Sequence, residues 1–205
     1  MPDDADRIID LYERNARNYD RDRSKSLFER SWLDRFTALV PRGGSILDLG
    51  CGSGEPIARH LVEAGYRVTG VDSSATMIGQ CRARFSDHSW IVADMRRLAL
   101  GRRFDGLLAW DSFFHLCPAD QRATFAVFAA HAAPGAALMF TSGPAAGEAI
   151  GEYCGEALFH ASLDGSEYRL LLGAIGFKVE TQIDNDPECG GHTVWLARGL
   201  GGKND

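Results

Sequence analysis

The 205-residue chain has no apolar run near the ~20 residues that a bilayer-crossing helix needs, so no segment reads as a membrane anchor. Its N-terminus, Met1-Pro2-Asp3-Asp4, is acidic and lacks the charged-then-apolar shape of a secretion signal. A surplus of positive charge is missing too: 22 Lys and Arg face 28 Asp and Glu, for a formal net charge of -6. Nucleic-acid binders present a concentrated basic face, so no nucleic-acid partner is expected. Arginines do cluster at Arg17, Arg21 and Arg23, but aspartates interleave them, as on a solvated helix face. Arg96, Arg97, Arg102 and Arg103 form a second group, to which no role falls. The five cysteines are scattered, odd in number and never spaced C-x-x-C, which excludes a disulfide framework and fits reduced thiols in a cytoplasm. With no internal repeat and no linker, residues 1–205 read as one well-buried domain.

What is present centres on Ser45-Ile46-Leu47-Asp48-Leu49-Gly50-Cys51-Gly52-Ser53-Gly54, followed by Glu55-Pro56. A short apolar run bounded by glycines reads as a buried strand, and Pro56 suits the first turn of a helix. Strand, glycine turn and helix together make a corner where free backbone N–H groups meet a ligand. A dinucleotide fingerprint would be G-x-G-x-x-G, its third glycine seating the helix under a pyrophosphate. Here Glu55 stands in that place, and Asp48 adds a further negative charge. Both favour a ligand with a cationic part over a pyrophosphate.

Asp48-Leu49-Gly50-Cys51-Gly52-Ser53-Gly54 resembles the first motif of the class I S-adenosylmethionine-dependent methyltransferases. Two further acids sit at suitable spacing. Asp72 ends the apolar run Tyr66–Val71, 18 residues past Gly54, close to the separation at which a carboxylate ending a second strand reaches a ribose. An ionised carboxylate accepts both hydrogen bonds of a vicinal diol; the plainer reading, a helix cap, competes with Ser73 and Ser74. Trp90–Asp94 is a third such run, and in the resembled family its Asp94-Met95 pair would hold the adenine. The resemblance implies a Rossmann-like, doubly wound, mostly parallel seven-stranded α/β sheet with one antiparallel strand near the C-terminus. It implies S-adenosyl-L-methionine as cofactor and S-adenosyl-L-homocysteine as product. Its cofactor set here is Tyr19, Asp48, Gly50, Cys51, Gly52, Gly54, Asp72, Ser73, Met77, Asp94, Met95 and Trp110.

Along the chain, Ile8, Leu11, Tyr12, Ala16 and Tyr19 fall at helical spacing, and Ser26-Leu27-Phe28-Glu29 has the S-x-x-E form of a capping box that would start a second helix ending at Pro41. In the resembled family such helices, residues 1–41 here, lie over the cofactor mouth, and Asn18-Tyr19-Asp20 is similar to a segment lending an aromatic to it. Tyr19 as ordinary packing stays open. Phe104–Asp111 reads as an acid-terminated fourth strand, resembling the motif that faces the reactive methyl. It lacks the Asn/Asp-Pro-Pro-Tyr signature of many methyltransferases acting on adenine or glutamine amino groups. Residues 142–161 are broken by Gly143, Pro144, Gly147, Gly151 and Gly155 and read as a long irregular substrate loop or lid. Gly176–Val179 and Thr193–Leu196 resemble the family's closing pair of antiparallel strands.

Methyl transfer from a sulfonium asks mainly for alignment and desolvation. A base helps where the acceptor must lose a proton. His115 is the first candidate and His160 the second, with Asp111 orienting the histidine or binding a substrate amine; His115 as a packed core residue is the alternative. His115-x-Cys117 and Cys189-x-x-His192 match no recognised zinc spacing, so no metal is expected. The cysteines are too dispersed to capture trivalent arsenic. The expected partner is a small molecule, met by a monomer or homodimer. Two rivals remain: a non-catalytic subunit that binds the cofactor, and a nicotinamide-dependent oxidoreductase, against which Glu55 and the G-x-G-x-G spacing speak.

Overall fold

The computed structural model describes residues 4–201; Met1–Asp3 and Gly202–Asp205, which include most of the polar tail, lie outside the described residues. Two helices, α1 (Asp4–Asp22) and α2 (Arg30–Thr37), precede an alternation of strands and helices. These are β1 (Ser45–Leu49), α3 (Ile57–Glu63), β2 (Arg67–Asp72), α4 (Ala75–Arg84), β3 (Ser89–Val92), β4 (Phe104–Ala109), α5 (Pro118–His131) and β5 (Ala132–Ser142). A hairpin of β6 (Gly147–Tyr153) and β7 (Glu156–Ser162) follows, then α6 (Gly165–Ala174), β8 (Phe177–Asp186) and β9 (His192–Gly199).

Seven strands form one sheet in the order β3-β2-β1-β4-β5-β9-β8. β1 to β5 pair in parallel, while β9 runs antiparallel to both β5 and β8. The expected sheet, with one reversed strand inserted near the C-terminus, is therefore present. Strand order turns round between β1 and β4, and in such sheets ligands bind beyond the carboxyl ends at that point. Residues along β1 alternate between two cores. Leu47 and Leu49 join Phe104, Phe113, Phe128, Phe140 and Trp195 on one face. Ile46 joins Trp32, Phe36, Leu61, Ile78 and Leu108 on the other.

Three expectations need correction. The capping box at Ser26 does not form: α2 starts at Arg30, Ser26 Oγ pairs with Ser24 Oγ at 2.9 Å, and Leu27 has φ +51°. The Glu29 carboxylate is instead buried in an ion pair with Arg23, and a charge-assisted bond of that kind outweighs one capping bond. Residues 142–161 are not irregular. β6 and β7 pair from Gly147↔Ser162 to Tyr153↔Glu156, beyond the last turn of β5. The glycines that broke the pattern fit the ladder: Gly151 pairs with Leu158, and a Cβ on it would stand 3.3 Å from the ring of His160, its diagonal neighbour across the hairpin. Finally β3 and β4 stop at Val92 and Ala109, so Asp94 and Asp111 sit in the turns beyond them.

Candidate active site

The pocket lies at the carboxyl edge where β1, β2, β3 and β4 end, roofed by α1. It holds about 720 Å³ of free space, counting the open solvent at its mouth. Gly50 and Gly52 form its floor, Asp72, Ser73 and Met77 one side, and Asp94, Met95 and Arg96 another. Asp111, Ser112 and His115 close the far wall, with Ile8, Tyr12 and Tyr19 above.

The floor is tight. Gly50 and Gly52 have φ of +75° and +54°, the left-handed region that suits glycine. The N–H groups of Gly50 and Cys51 both donate to Val71 O, at 2.7 and 3.0 Å. Asp72 holds the turn from the other side: Oδ2 accepts from Gly52 N at 2.9 Å and Oδ1 from Ser74 N at 2.8 Å. Burial pushes the Asp72 carboxyl up, against the pull of those bonds. Ser74, not Asp72, caps α4, accepting from Met77 N at 3.1 Å. Asp94 caps the short turn after β3 and grips Arg96, whose guanidinium lies 2.7 Å from Oδ2 and also reaches Asp120 at 3.1 Å.

Several expected residues do not reach the pocket wall. Asp48 shares the face of Ile46 and is 4% exposed beneath the floor. Burial, then the charge of Asp72, pushes its carboxyl up to about 7. The Cys51 thiol bonds to Gly52 O and lies where a Cβ of Gly70 would be, against Trp90. A Cβ on Gly54 would meet Phe85 at 2.9 Å and Cys81 at 3.3 Å, so this glycine seats α4 instead of meeting a ligand. Trp110 is buried in the core with Met139 and Leu196, because the alternation along β4 continues past its end. Glu55 binds Arg59 at 2.5 Å and leaves the site altogether.

Residues 46–135 match the model of a family described as a methyltransferase domain. Over that stretch the chain is similar to a methyltransferase domain. Over 96 residues it is 38% identical to a dTDP-3-amino-3,6-dideoxy-alpha-D-glucopyranose N,N-dimethyltransferase of Streptomyces fradiae, covering 46% of this chain and 37% of that protein. It is 32% identical over 137 residues to a malonyl-[acyl-carrier protein] O-methyltransferase of Salmonella typhimurium, covering 66% of this chain and 53% of the other. The chain thus spans about two fifths to a half of the length of these curated relatives. Among solved structures, a Burkholderia thailandensis 1,6-didemethyltoxoflavin-N1-methyltransferase with bound S-adenosylhomocysteine superposes with a TM-score of 0.74 at 20% identity, over 98% of this chain and 92% of that one. These likenesses to structures establish the fold.

Burial disfavours the charged form of both His115, in the pocket wall, and His160 beside it. His115, 7% exposed, lies between Phe159 O, 2.8 Å from Nδ1, and Tyr12 Oη, 3.0 Å from Nε2. A carbonyl only accepts, so Nδ1 carries the hydrogen and Nε2 receives the Tyr12 hydroxyl. Burial lowers the His115 pKa to about 4, and burial likewise pushes the Tyr12 hydroxyl up. Asp111 does not orient His115; its Oδ1 lies 2.8 Å from His192 Nε2. His160 stacks beside His115 with ring centroids 4.9 Å apart. Among the described residues no group of three or more His, Cys, Asp or Glu could hold a metal ion.

Tyr12 and His192 escaped sequence reasoning as site residues. Tyr12 had a signal, since it lies two helical turns before Tyr19 and so shares its face. His192 had none, being brought to Asp111 only by the insertion of β9 next to β5.

The state of His115 makes a testable demand. Its folded pKa of about 4 lies below the ordinary 6.5, so the unfolded chain binds a proton that the folded one refuses. Stability linked to this residue is full above pH 6.5 and is lost as pH falls toward 4, by up to about 3 kcal/mol. Urea unfolding at pH 7 and pH 4.5 should show a smaller acid loss for His115→Asn, whose amide can still donate to Phe159 O. Equal losses in both proteins would contradict the assigned state.

Proposed function

We propose that the chain is an S-adenosylmethionine-dependent methyltransferase acting on a small-molecule acceptor. One observation carries the reading: a single pocket at the switch point joins the diol-competent carboxylate of Asp72 to a wall of Tyr12, Asp111 and His115. The residues fit the cofactor. Each Asp72 oxygen spends one lone pair on a backbone N–H and keeps another for a ribose hydroxyl. Met77, Ala93 and Met95 offer apolar contact for a base, and Asp94, whose burial is outweighed by its bonds to Arg96 so that its pKa lies below the ordinary value, remains an ionised acceptor for an exocyclic amine.

When bound, the sulfonium supplies a methyl group with a good leaving group already attached. The protein's share is then to bind, align and exclude water. α1 does the excluding: Glu13 ties it to Ser74 and Thr76, Asp20 to Arg84, and Tyr12 to His115. His115 is neutral yet its free lone pair is taken by Tyr12, so it fixes the acceptor wall; service as a base requires Tyr12 to move aside. The hairpin of β6 and β7 backs that wall through Phe159 and supports a substrate-side role for residues 142–161. No helix among the described residues is long and apolar enough to cross a membrane. A cytoplasmic monomer or homodimer meeting a metabolite suits this build.

Isothermal titration with S-adenosylmethionine, S-adenosylhomocysteine and NADH tests the proposal, followed by a screen of small acceptors for homocysteine-product release. Binding of NADH alone would support an oxidoreductase; binding of both adenosyl ligands without any turnover would support a non-catalytic subunit. The titration carries a finer expectation. Asp48 holds its proton up to about pH 7, and a sulfonium above it favours the ionised form. S-adenosylmethionine should therefore release a proton and bind more tightly as pH rises through 7, while the uncharged thioether S-adenosylhomocysteine should not. Parallel pH profiles for the two ligands would remove Asp48 from the electrostatics of the site.

A further inference from the structure

The pair Asp111–His192 is built with more care than a surface ion pair. Asp111 adopts φ +50°, unusual for a residue with a side chain, and its N–H donates to Thr141 Oγ1 at 2.9 Å. His192 opens β9 directly after Gly190 and Gly191, both at positive φ. Its ring lies between Phe28 and Trp110, with centroids at 5.8 and 5.7 Å. Segments 81 residues apart in sequence thus meet at the pocket wall that Asp111 lines.

The hydrogen bonds fix the charge. His192 Nδ1 lies 2.6 Å from Cys189 O, a group that only accepts, so Nδ1 carries a hydrogen. Nε2 then faces a carboxylate oxygen at 2.8 Å, and a bare lone pair there would meet another. One more proton must sit between them. It rests on His192, whose protonated form the Asp111 hydrogen bond favours, and the pair as a whole is electrically neutral. The surrounding charges agree. The hydrogen bond to Asp111 and that carboxylate's charge favour protonated His192 against the cost of burial; Glu29, 0% exposed, bonds Arg23, leaves Oε2 without a partner among the described residues and adds a smaller pull the same way. Asp186, opposite His192 on β8, is spent on Trp32 Nε1 at 2.7 Å.

This neutrality matters for a nucleophile. A lone carboxylate beside an amine would stabilise the ammonium form, which has no lone pair to accept a methyl group. A carboxylate whose charge is cancelled can still accept a hydrogen bond, and so aims the lone pair without trapping the cation. We propose that His192 is a positioning residue: it holds Asp111 at the pocket wall and cancels its charge, so that Asp111 receives a hydrogen bond from an uncharged N–H or O–H nucleophile. This rests on the methyltransferase reading given above and adds the acceptor class to it.

The test separates the two claims. With protein saturated by S-adenosylhomocysteine, two-dimensional NMR of the imidazoles should show His192 protonated on both nitrogens at pH 7, and Asp111→Asn should lower its titration midpoint by at least one pH unit. Choline, a permanent cation, probes the charge directly: it should bind His192→Gln at least tenfold more tightly than wild type, and the double variant with Asp111→Asn should lose that gain. S-adenosylhomocysteine affinity should stay within about twofold in both single variants. A neutral His192 at pH 7, or equal choline binding by wild type and His192→Gln, overturns the proposal even where the adenosyl ligand binds. Failure of S-adenosylhomocysteine to bind wild type overturns the methyltransferase reading instead.

Discussion

Asp72→Ala should lower the affinity for S-adenosylhomocysteine at least ~100-fold in isothermal titration, since each hydrogen bond to a charged group contributes roughly 1.5–3 kcal/mol and a ribose diol makes two. The same carboxylate bonds Gly52 N and Ser74 N, so the variant also frees the glycine turn from the start of α4. A thermal melt without ligand must therefore accompany the titration. The expected pattern is a modest fall in melting temperature with a much larger fall in affinity, and addition of the ligand should no longer raise the melting point of the variant. Asp72→Asn sharpens the result. Its amide oxygen still accepts from one of the two N–H groups, but its NH₂ faces the other, so it keeps part of the scaffold and loses the second acceptor for a hydroxyl. Retention of near-normal affinity by both variants would remove Asp72 from the cofactor site, and with it the central claim about this pocket.

The parallel sheet was legible because its evidence is local and repeated. Short apolar runs with an acid at or near their end and a helix beyond recur at β1, β2 and β4, and a buried strand between helices leaves an apolar run wherever it occurs. The floor and one side of the pocket were legible for the same reason: Gly50 and Gly52 follow β1, Asp72 and Ser73 end β2, and one strand–helix–strand unit sets these two corners next to each other. What was hidden depends on contacts between distant segments. Asp48 and Trp110 carry the right residue types at the right strands, yet the alternation of side chains along β1 and β4 turns them into the core. Cys51 likewise turns its thiol away from the mouth. Glu55 was read as a charge facing the ligand, whereas the helix that follows supplies Arg59 one turn on and draws it off. The hairpin was hidden by its own glycines, which a local reading scores as breaks although Gly151 makes room for His160 across the ladder. His192, weighed only as half of a Cys189-x-x-His192 ligand pair, had no local mark of its place beside Asp111. That partner lies in the turn after β4, and only the sheet order brings them together.

Gly50→Ala should be the most damaging single methyl group that can be added to this chain. A Cβ there would stand 2.2 Å from Ser112 Cβ, 2.7 Å from Ser112 Oγ and 3.2 Å from the Met95 methyl. Ser112 cannot swing away cheaply, because its Oγ donates to Leu49 O at 2.7 Å and its backbone opens the turn carrying Phe113, which is fully buried. The φ of +75° adds about 1–2 kcal/mol of backbone strain for any residue with a Cβ, and forced overpacking adds typically 1–3 kcal/mol. Together these predict a loss of about 2–5 kcal/mol in urea unfolding and no measurable binding of S-adenosylhomocysteine, since the floor of the pocket is displaced. The two causes can be told apart. Ser112→Gly in the Gly50→Ala background removes the overlap while leaving the backbone strain and forfeiting the bond to Leu49 O, so it should restore stability only in part. Full rescue would mean that the clash was the whole effect and the positive φ was of no consequence. A Gly50→Ala protein with normal stability and normal binding would show that β1 and the turn after Trp110 do not approach each other as described, and that the pocket between them has a different floor.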